Sequence, residues 1–245
     1  WCDMTVFLTS SPCVPDADRA ILNNANGFVE RLRKALPKNP KCLFVCSSPD
    51  SPALTDKFGR DMASAFQAAD MGFREFQVLD PRTDSNAQEM IWNSDLIILA
   101  GGHVPTQNAY FQKIGLAKLL KNYQGVVLGI SAGSMNAATE VYAQPEYPDE
   151  ATDPAYQRFL PGLALANIRV LPHYQKVRHD ILNGLRLFED ITYPDSVGRT
   201  FYAFPDGTYY YQEGTTAAIF GECYRLRNFL MTRVNDNGSV LFDVR

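Results

Sequence analysis

Residues 126–134 read Val126-Val127-Leu128-Gly129-Ile130-Ser131-Ala132-Gly133-Ser134, an apolar run that enters Gly-x-Ser-x-Gly and leaves into a helix-compatible stretch. A buried strand that turns sharply into a helix is the setting of a nucleophile elbow. Such a turn needs small neighbours on both sides, which gives Gly129 and Gly133 a steric role. It would lift the Ser131 hydroxyl above the sheet at a helix N-terminus, where free N–H groups and the helix dipole favour developing negative charge. The ordinary alternative is a serine that only caps the helix. The strand in front and the helix behind favour the nucleophile.

Working outward, the same alternation repeats. Apolar strand candidates lie at 5–10, 42–47, 75–79, 96–100, 126–130 and 168–172. Helix candidates lie at 18–36, 51–71, 86–92, 107–122, 132–141 and 175–188. In the first, Ile21, Ala25, Phe28, Val29, Leu32 and Leu36 fall near helical spacing. The strands are continuous apolar runs, as in a parallel sheet covered on both faces. The expected fold class is α/β, a three-layer α/β/α sandwich with a mostly parallel central sheet.

Beyond residue 198 the pattern becomes short strands at 200–204, 208–212, 215–220, 223–226, 230–233 and 240–244. Turns fall at Asp206-Gly207, Glu213-Gly214 and Asn237-Gly238, and Asn-Gly is a strong hairpin signal. These strands read as an antiparallel C-terminal extension of a single domain spanning 1–245. Residues 144–161 carry four prolines and six acidic or amide side chains, a long loop near the site or a surface flap.

The chain has 245 residues, 46% hydrophobic and 20% charged, enough to bury a core and to exclude a disordered chain. A net charge of −4 argues against a nucleic-acid or anionic-membrane surface. The longest apolar runs are too short to cross a bilayer. No secretory pattern opens the sequence, and the expected compartment is the cytoplasm. Five scattered cysteines do not form a disulfide framework, and Cys42 and Cys46 read as small core residues. Three histidines in unrelated contexts offer no metal-ligand set, and no Gly-rich phosphate cradle is present, so neither metal nor organic cofactor is expected.

A second glycine string, Gly101-Gly102-His103, closes the strand at 96–100. Ligands bind at the carboxyl ends of parallel strands, where glycines expose backbone N–H groups. The N–H groups of Gly102 and Ala132 would make a two-donor oxyanion hole; a plain tight turn is the alternative. His103 serves equally as a cap for the next helix. A serine nucleophile needs a base, and only His103, His173 and His179 exist. His173 follows Arg169-Val170-Leu171-Pro172 at a strand end and is the candidate base, with His103 in reserve. Asp206, in Phe204-Pro205-Asp206-Gly207, is the candidate orienting acid. Glu213 is the other candidate and fits a plain hairpin turn.

In order along the chain, Ala100-Gly101-Gly102, Gly129-Ile130-Ser131-Ala132-Gly133, Pro172-His173-Tyr174 and Pro205-Asp206-Gly207 resemble the peptidase E and cyanophycinase family of serine peptidases. The resemblance implies a class I glutamine-amidotransferase-like fold, with Ser131 as nucleophile, His173 as base and Asp206 as orienting acid. It implies exopeptidase action on short peptides near an N-terminal aspartate, in the manner of an aspartyl dipeptidase. His103 stands where that family carries Asn or Asp, in a position that lines the site near the reacting carbonyl. Arg178 is a candidate for meeting a substrate carboxylate, although a surface arginine is the commoner role.

Two other classes compete. An α/β-hydrolase esterase also uses Gly-x-Ser-x-Gly, but its order is Ser, acid, then His, and here no histidine follows His179. A non-catalytic ligand-binding domain of the same fold would not need His173 and Asp206, and both are present. Short peptides are the expected partner, with no nucleic acid and no membrane; nothing in the sequence specifies an oligomeric state.

Overall fold

The structure is a computed structural model that describes residues 4–235 and 238–242. Five parallel strands build its centre: β1 (Thr5–Thr9), β2 (Lys41–Val45), β3 (Glu75–Leu79), β4 (Leu96–Leu99) and β5 (Val126–Ile130). They are separated by α1 (Phe28–Ala35), α2 (Pro52–Ala68), α3 (Ala87–Trp92), α4 (Val104–Ile114) and α5 (Leu116–Leu119). The chain then passes through α6 (Ala132–Asn136), the hairpin β6 (Glu140–Tyr142) and β7 (Phe159–Pro161) enclosing α7 (Pro148–Thr152), and β8 (Val170–Leu171). After α8 (Tyr174–Val177) come a small hairpin, β9 (Ile181–Leu182) and β10 (Leu185–Arg186), and a helical stretch ending in α9 (Tyr193–Asp195). The last strands are β11 (Thr200–Ala203), β12 (Tyr209–Glu213), β13 (Thr216–Phe220), β14 (Cys223–Arg227), β15 (Leu230–Asn235) and β16 (Ser239–Phe242).

Eight strands form the main sheet in the order β16-β13-β12-β1-β5-β4-β2-β3, with β1 to β5 parallel and β12, β13 and β16 antiparallel at one edge. The apolar runs are continuous because helices cover both faces. Cys42, Phe44, Leu96, Ile98, Val126 and Leu128 pack with Phe28, Leu32 and Phe66 of α1 and α2. The alternating Leu43, Val45, Ile97, Leu99 and Val127 pack with Ile91, Phe111 and Leu116 of α3 to α5. Each such fully buried side chain contributes about 1.5–3 kcal/mol. The three-layer expectation holds.

The antiparallel tail is split. β12, β13 and β16 extend the main sheet, whereas β11, β14 and β15 join β8 in a second sheet of order β15-β14-β11-β8. Ile168, Val170, Phe204 and Cys223 of that second layer pack on Val6, Leu8, Tyr210 and Ile219 of the first. The expected hairpin at Asn237-Gly238 lies partly outside the described residues. Its flanking strands β15 and β16 pair with β14 and β13, in different sheets.

The helix expected over 107–122 is split at Gly115 (φ 66°) into α4 and α5, and three other expected helices depart further from their apolar spacing. Residues 18–24 are not helical, because Asn26 and Gly27 both take positive φ (58° and 70°) and force the helix to start at Phe28. The helix after Ser131 stops at Asn136, and the β-branched and aromatic run that follows pairs β6 with β7. In place of one helix over 175–188 there is a single turn and then the β9–β10 hairpin, closed by Asn183-Gly184 with φ of 50° and 81°. Cys42 and Cys46 are buried core residues, and the four described cysteines are unpaired. Among the described residues no helix is long and apolar enough to cross a membrane.

Candidate active site

The carboxyl ends of β1, β4 and β5 bring Ser10, Gly101-Gly102 and Ser131 to one edge of the main sheet, the place where open α/β sheets bind ligands. Ser131 carries φ 51° and ψ −108°, outside the ordinary regions for a residue with a Cβ. Holding it there costs on the order of 1–3 kcal/mol. The surroundings impose it. Ser131 N–H donates to the Thr9 carbonyl (3.1 Å), and its own carbonyl starts α6 by accepting from Met135 (3.0 Å). A Cβ on Gly133 would collide with the Leu99 carbonyl, and one on Gly129 would lie 2.9 Å from the Ser134 Cα. The glycines therefore have the steric role expected of them.

Ser131 occupies the N-cap position of α6 but its side chain makes no capping bond. Its Oγ instead lies 2.9 Å from His173 Nε2. His173 Nδ1 lies 2.7 Å from Asp206 Oδ1. With Asp206 ionised, Nδ1 carries the proton, and the free Nε2 lone pair accepts from the serine hydroxyl. The three residues named from the sequence thus form one hydrogen-bonded line. They reach it from two sheets. His173 and Asp206 follow β8 and β11, neighbouring parallel strands of the second sheet that register Ala203 against Leu171. Phe204 N–H donates to Leu171 O (2.8 Å) and Tyr174 N–H to Phe204 O (3.1 Å), which fixes the two loops side by side.

Ser10 joins the sheets, and the sequence reading missed it. Its hydroxyl donates to Asp206 Oδ1 (2.7 Å) and accepts from the backbone N–H of His173 (2.7 Å). Gln175, also missed, donates from Nε2 to Asp206 Oδ2 (2.8 Å) and accepts from the Asp206 N–H (3.0 Å). Lys176 Nζ lies 3.4 Å from the same carboxylate, whose side chain is only 3% exposed. Burial by itself would raise the Asp206 carboxyl. The bonds from His173, Ser10 and Gln175 outweigh it and hold the group well below the usual carboxylate range.

The other expected residues fall differently. Gly102 lines the cavity beside Ser131. The N–H of Ala132 sits in the first turn of α6, where the helix offers it no acceptor. Glu213 ends β12, and its carboxylate accepts from the Tyr211 hydroxyl (2.7 Å), away from the histidine. His103 does not line the cleft. It stands at the N-cap of α4, with Nδ1 2.7 Å from Thr106 Oγ1 and Nε2 2.7 Å from Glu150 Oε2. Arg178 is exposed and is not among the residues that line the two cavities bordered by Ser131. The segment 144–161 is a flap whose Gln144, Pro145 and Glu146 wall the cavity at Ser131.

The sequence profile of peptidase family S51 matches residues 7–220, a span that contains the elbow, the histidine and the acid. The chain belongs to peptidase family S51. It is a serine peptidase of that family. Two solved structures share the S51 chain's fold. A peptidase from an acI-B1 Actinobacterium superposes with a TM-score of 0.67 at 15% identity, over 98% of this chain and 97% of the other. A putative peptidase E protein from Listeria monocytogenes EGD-e superposes with a TM-score of 0.56 at 14% identity, over 95% of this chain and 99% of the other. Comparison with curated proteins finds no match.

Proposed function

We propose that this S51 peptidase hydrolyses short peptides through an acyl-enzyme on Ser131, with His173 as general base and Asp206 as its orienting acid. The observation that carries the reading is the Ser131 hydroxyl, which leaves its capping role unfilled and meets His173 at 2.9 Å. Ser131 attacks the scissile carbonyl while His173 takes the hydroxyl proton. His173 then protonates the leaving amine, and water repeats the sequence on the ester. Asp206 holds the tautomer that leaves Nε2 free. The N–H groups of Gly102 and Ala132 are the donors for the tetrahedral oxyanion, about 3–4 kcal/mol each in comparable sites.

The flap supports a preference for short chains, since the lobe it walls has a volume of about 130 Å³, room for one side chain. Action at a peptide end follows from that enclosure. An aspartyl preference would require a cation in the cleft, and Arg178 does not supply it, so we do not extend that preference to this chain.

The test is a panel of free and acetylated dipeptides and tripeptides beside acyl esters, run on wild type and Ser131→Ala, with a serine-directed phosphonate as label. Peptide turnover and labelling should both vanish in Ser131→Ala. Ester cleavage without peptide cleavage would make the protein an esterase, and an unlabelled Ser131 would favour a binding domain.

A further inference from the structure

The cleft at Ser131 has two lobes of different character. The larger, about 360 Å³, is walled by Phe44, Phe58, Met62 and Ile130. Asp61, the one carboxylate among its described lining residues, is paired with Lys57 at 2.8 Å. The smaller lobe runs under the flap, with Val104, Met135 and Leu187 as apolar floor and the acidic Glu146 and Asp180 in its wall. Among the described residues no lysine or arginine lines either lobe.

These two carboxylates stand apart from the other acids nearby. Asp206 is occupied by His173, Ser10, Gln175 and Lys176, and Glu150 by His103. The side chains of Glu146 and Asp180 enter no hydrogen bond or ion pair among the described residues. Both are nevertheless anchored through their backbones. Asp180 N–H donates to Val177 O (3.0 Å) and its carbonyl accepts from Leu187 (2.8 Å). The N–H groups of Glu146 and Tyr147 both donate to Glu150 Oε1 (3.0 Å each), and Glu150 Oε2 is the atom that meets His103. Desolvation at the cleft wall raises the Glu146 carboxyl above its ordinary value, with His103 and His173 drawing it down and Glu150 pushing it up. An exposed carboxylate on an anchored backbone, in the wall of a one-side-chain lobe that no described lysine or arginine lines, selects by charge beside a nucleophile.

We propose that Glu146, with Asp180 in the same lobe, makes this cleft select the cationic group of a short peptide, an alkylammonium or guanidinium, over a carboxylate. This rests on the reading of Ser131 as the nucleophile at that cleft. The cation has two sources, a lysine or arginine side chain or the free N-terminal ammonium, and the arms of the test separate them. His103 enters as a positioning residue: through Glu150 it fixes the backbone that presents Glu146.

The experiment uses the full chain and six dipeptides: lysyl-, norleucyl- and aspartyl-alanine, each with a free and an acetylated N-terminus. Values of kcat/KM are measured on wild type, Glu146→Gln, Glu146→Asp and Asp180→Asn, and affinities on Ser131→Ala by calorimetry. A side-chain cation appears as a tenfold to hundredfold preference for lysyl over norleucyl peptides, equivalent to about 1.4–2.8 kcal/mol. An N-terminal cation appears as the same preference for free over acetylated peptides. In either case aspartyl peptides are poorest, Glu146→Gln moves the ratio toward one mainly through KM, and Glu146→Asp keeps it. Equal or tighter binding of aspartyl peptides, no binding of any peptide to Ser131→Ala, or a ratio unmoved in both Glu146→Gln and Asp180→Asn would overturn the assignment. If Ser131→Ala binds cationic peptides selectively while wild type hydrolyses none, the lobe's selectivity stands and the catalytic reading falls.

Discussion

His173 and His103 each stand at a helix N-cap and each hold a carboxylate oxygen at 2.7 Å with one ring nitrogen and a hydroxyl with the other, yet their backbones and surroundings differ. His103 spends its second nitrogen on Thr106 at ordinary backbone angles, φ −85° and ψ 120°. His173 sits at φ 58° and directs its second nitrogen at Ser131, itself held at φ 51°. The acid of the His173 pair has a 3% exposed side chain and further donors on both oxygens, whereas the Glu150 side chain is 11% exposed and ties the flap's own backbone. A His–carboxylate pair alone therefore does not single out His173 as the proposed base. What separates the two is the strained backbone that trains the free nitrogen on a hydroxyl beside unoccupied N–H donors.

The sharpest way to break the comparison is to remove each histidine. His173→Ala should lower kcat/KM by about 10⁴ or more, and Asp206→Asn by about 10⁴ because the wrong tautomer then faces Ser131. Steady-state rates on the best dipeptide check both. A His173→Ala enzyme within tenfold of wild type would remove the base from the mechanism.

Ser10 gives a finer cut. Its hydroxyl orients the Asp206 carboxylate and the His173 backbone without reaching Ser131. Ser10→Ala leaves the His173 N–H without that partner, a cost of about 1–3 kcal/mol. The expected result is a tenfold to hundredfold drop in kcat with KM nearly unchanged, and rescue in Ser10→Thr. A change confined to KM, or no rescue by threonine, would remove its positioning role.

Ser10 also marks where the sequence stopped being legible. The elbow was readable because everything it needs lies within nine consecutive residues, 126–134, including the glycines whose Cβ atoms would strike Leu99 and Ser134. The parallel half was readable for a similar reason, since burial on both faces writes itself as unbroken apolar runs. Ser10 meets partners 163 and 196 residues away, and a contact of that range leaves no local pattern. The second sheet was hidden likewise, since the pairing of β8 with β11 rests on two short strands whose composition also suits the main sheet. At 183–184 the failure was of another kind. Asn183-Gly184 carries the same turn signal as Asn237-Gly238, but it interrupts a stretch with helix-like apolar spacing, and the turn chemistry prevailed over the period.

Acid offers a test of the pair that separates folding from turnover. The folded Asp206 carboxyl is held below its ordinary value of about 3.9, the bonds from His173, Ser10 and Gln175 prevailing over burial. A depressed acid stabilises the fold fully above its unfolded value, and that contribution is lost as pH falls below about 4 toward the folded value. Wild type should therefore melt several degrees above Asp206→Asn near neutral pH, at roughly 2–4 °C for each kcal/mol in a chain of this size. The gap should close on acidification below about pH 4. A gap that stays constant down to pH 3 would show that the carboxylate's charge is not what stabilises this corner.

The smallest effect is expected at the other histidine. His103→Gln removes the bonds to Glu150 and Thr106 but touches neither Ser131 nor an oxyanion donor. Its cost should reach turnover only through the flap, by loosening the backbone at Glu146 and Tyr147 that Glu150 holds. A fall in kcat/KM of less than about tenfold is expected, together with faster amide exchange across 144–153, the segment that loses its tie. If His103 acts through Glu150, the double variant His103→Gln/Glu150→Gln should be less impaired than the product of the two single losses. Strict additivity would mean that the bond between them carries nothing. A loss approaching that of His173→Ala would mean that His103, and not only His173, works at the reacting bond.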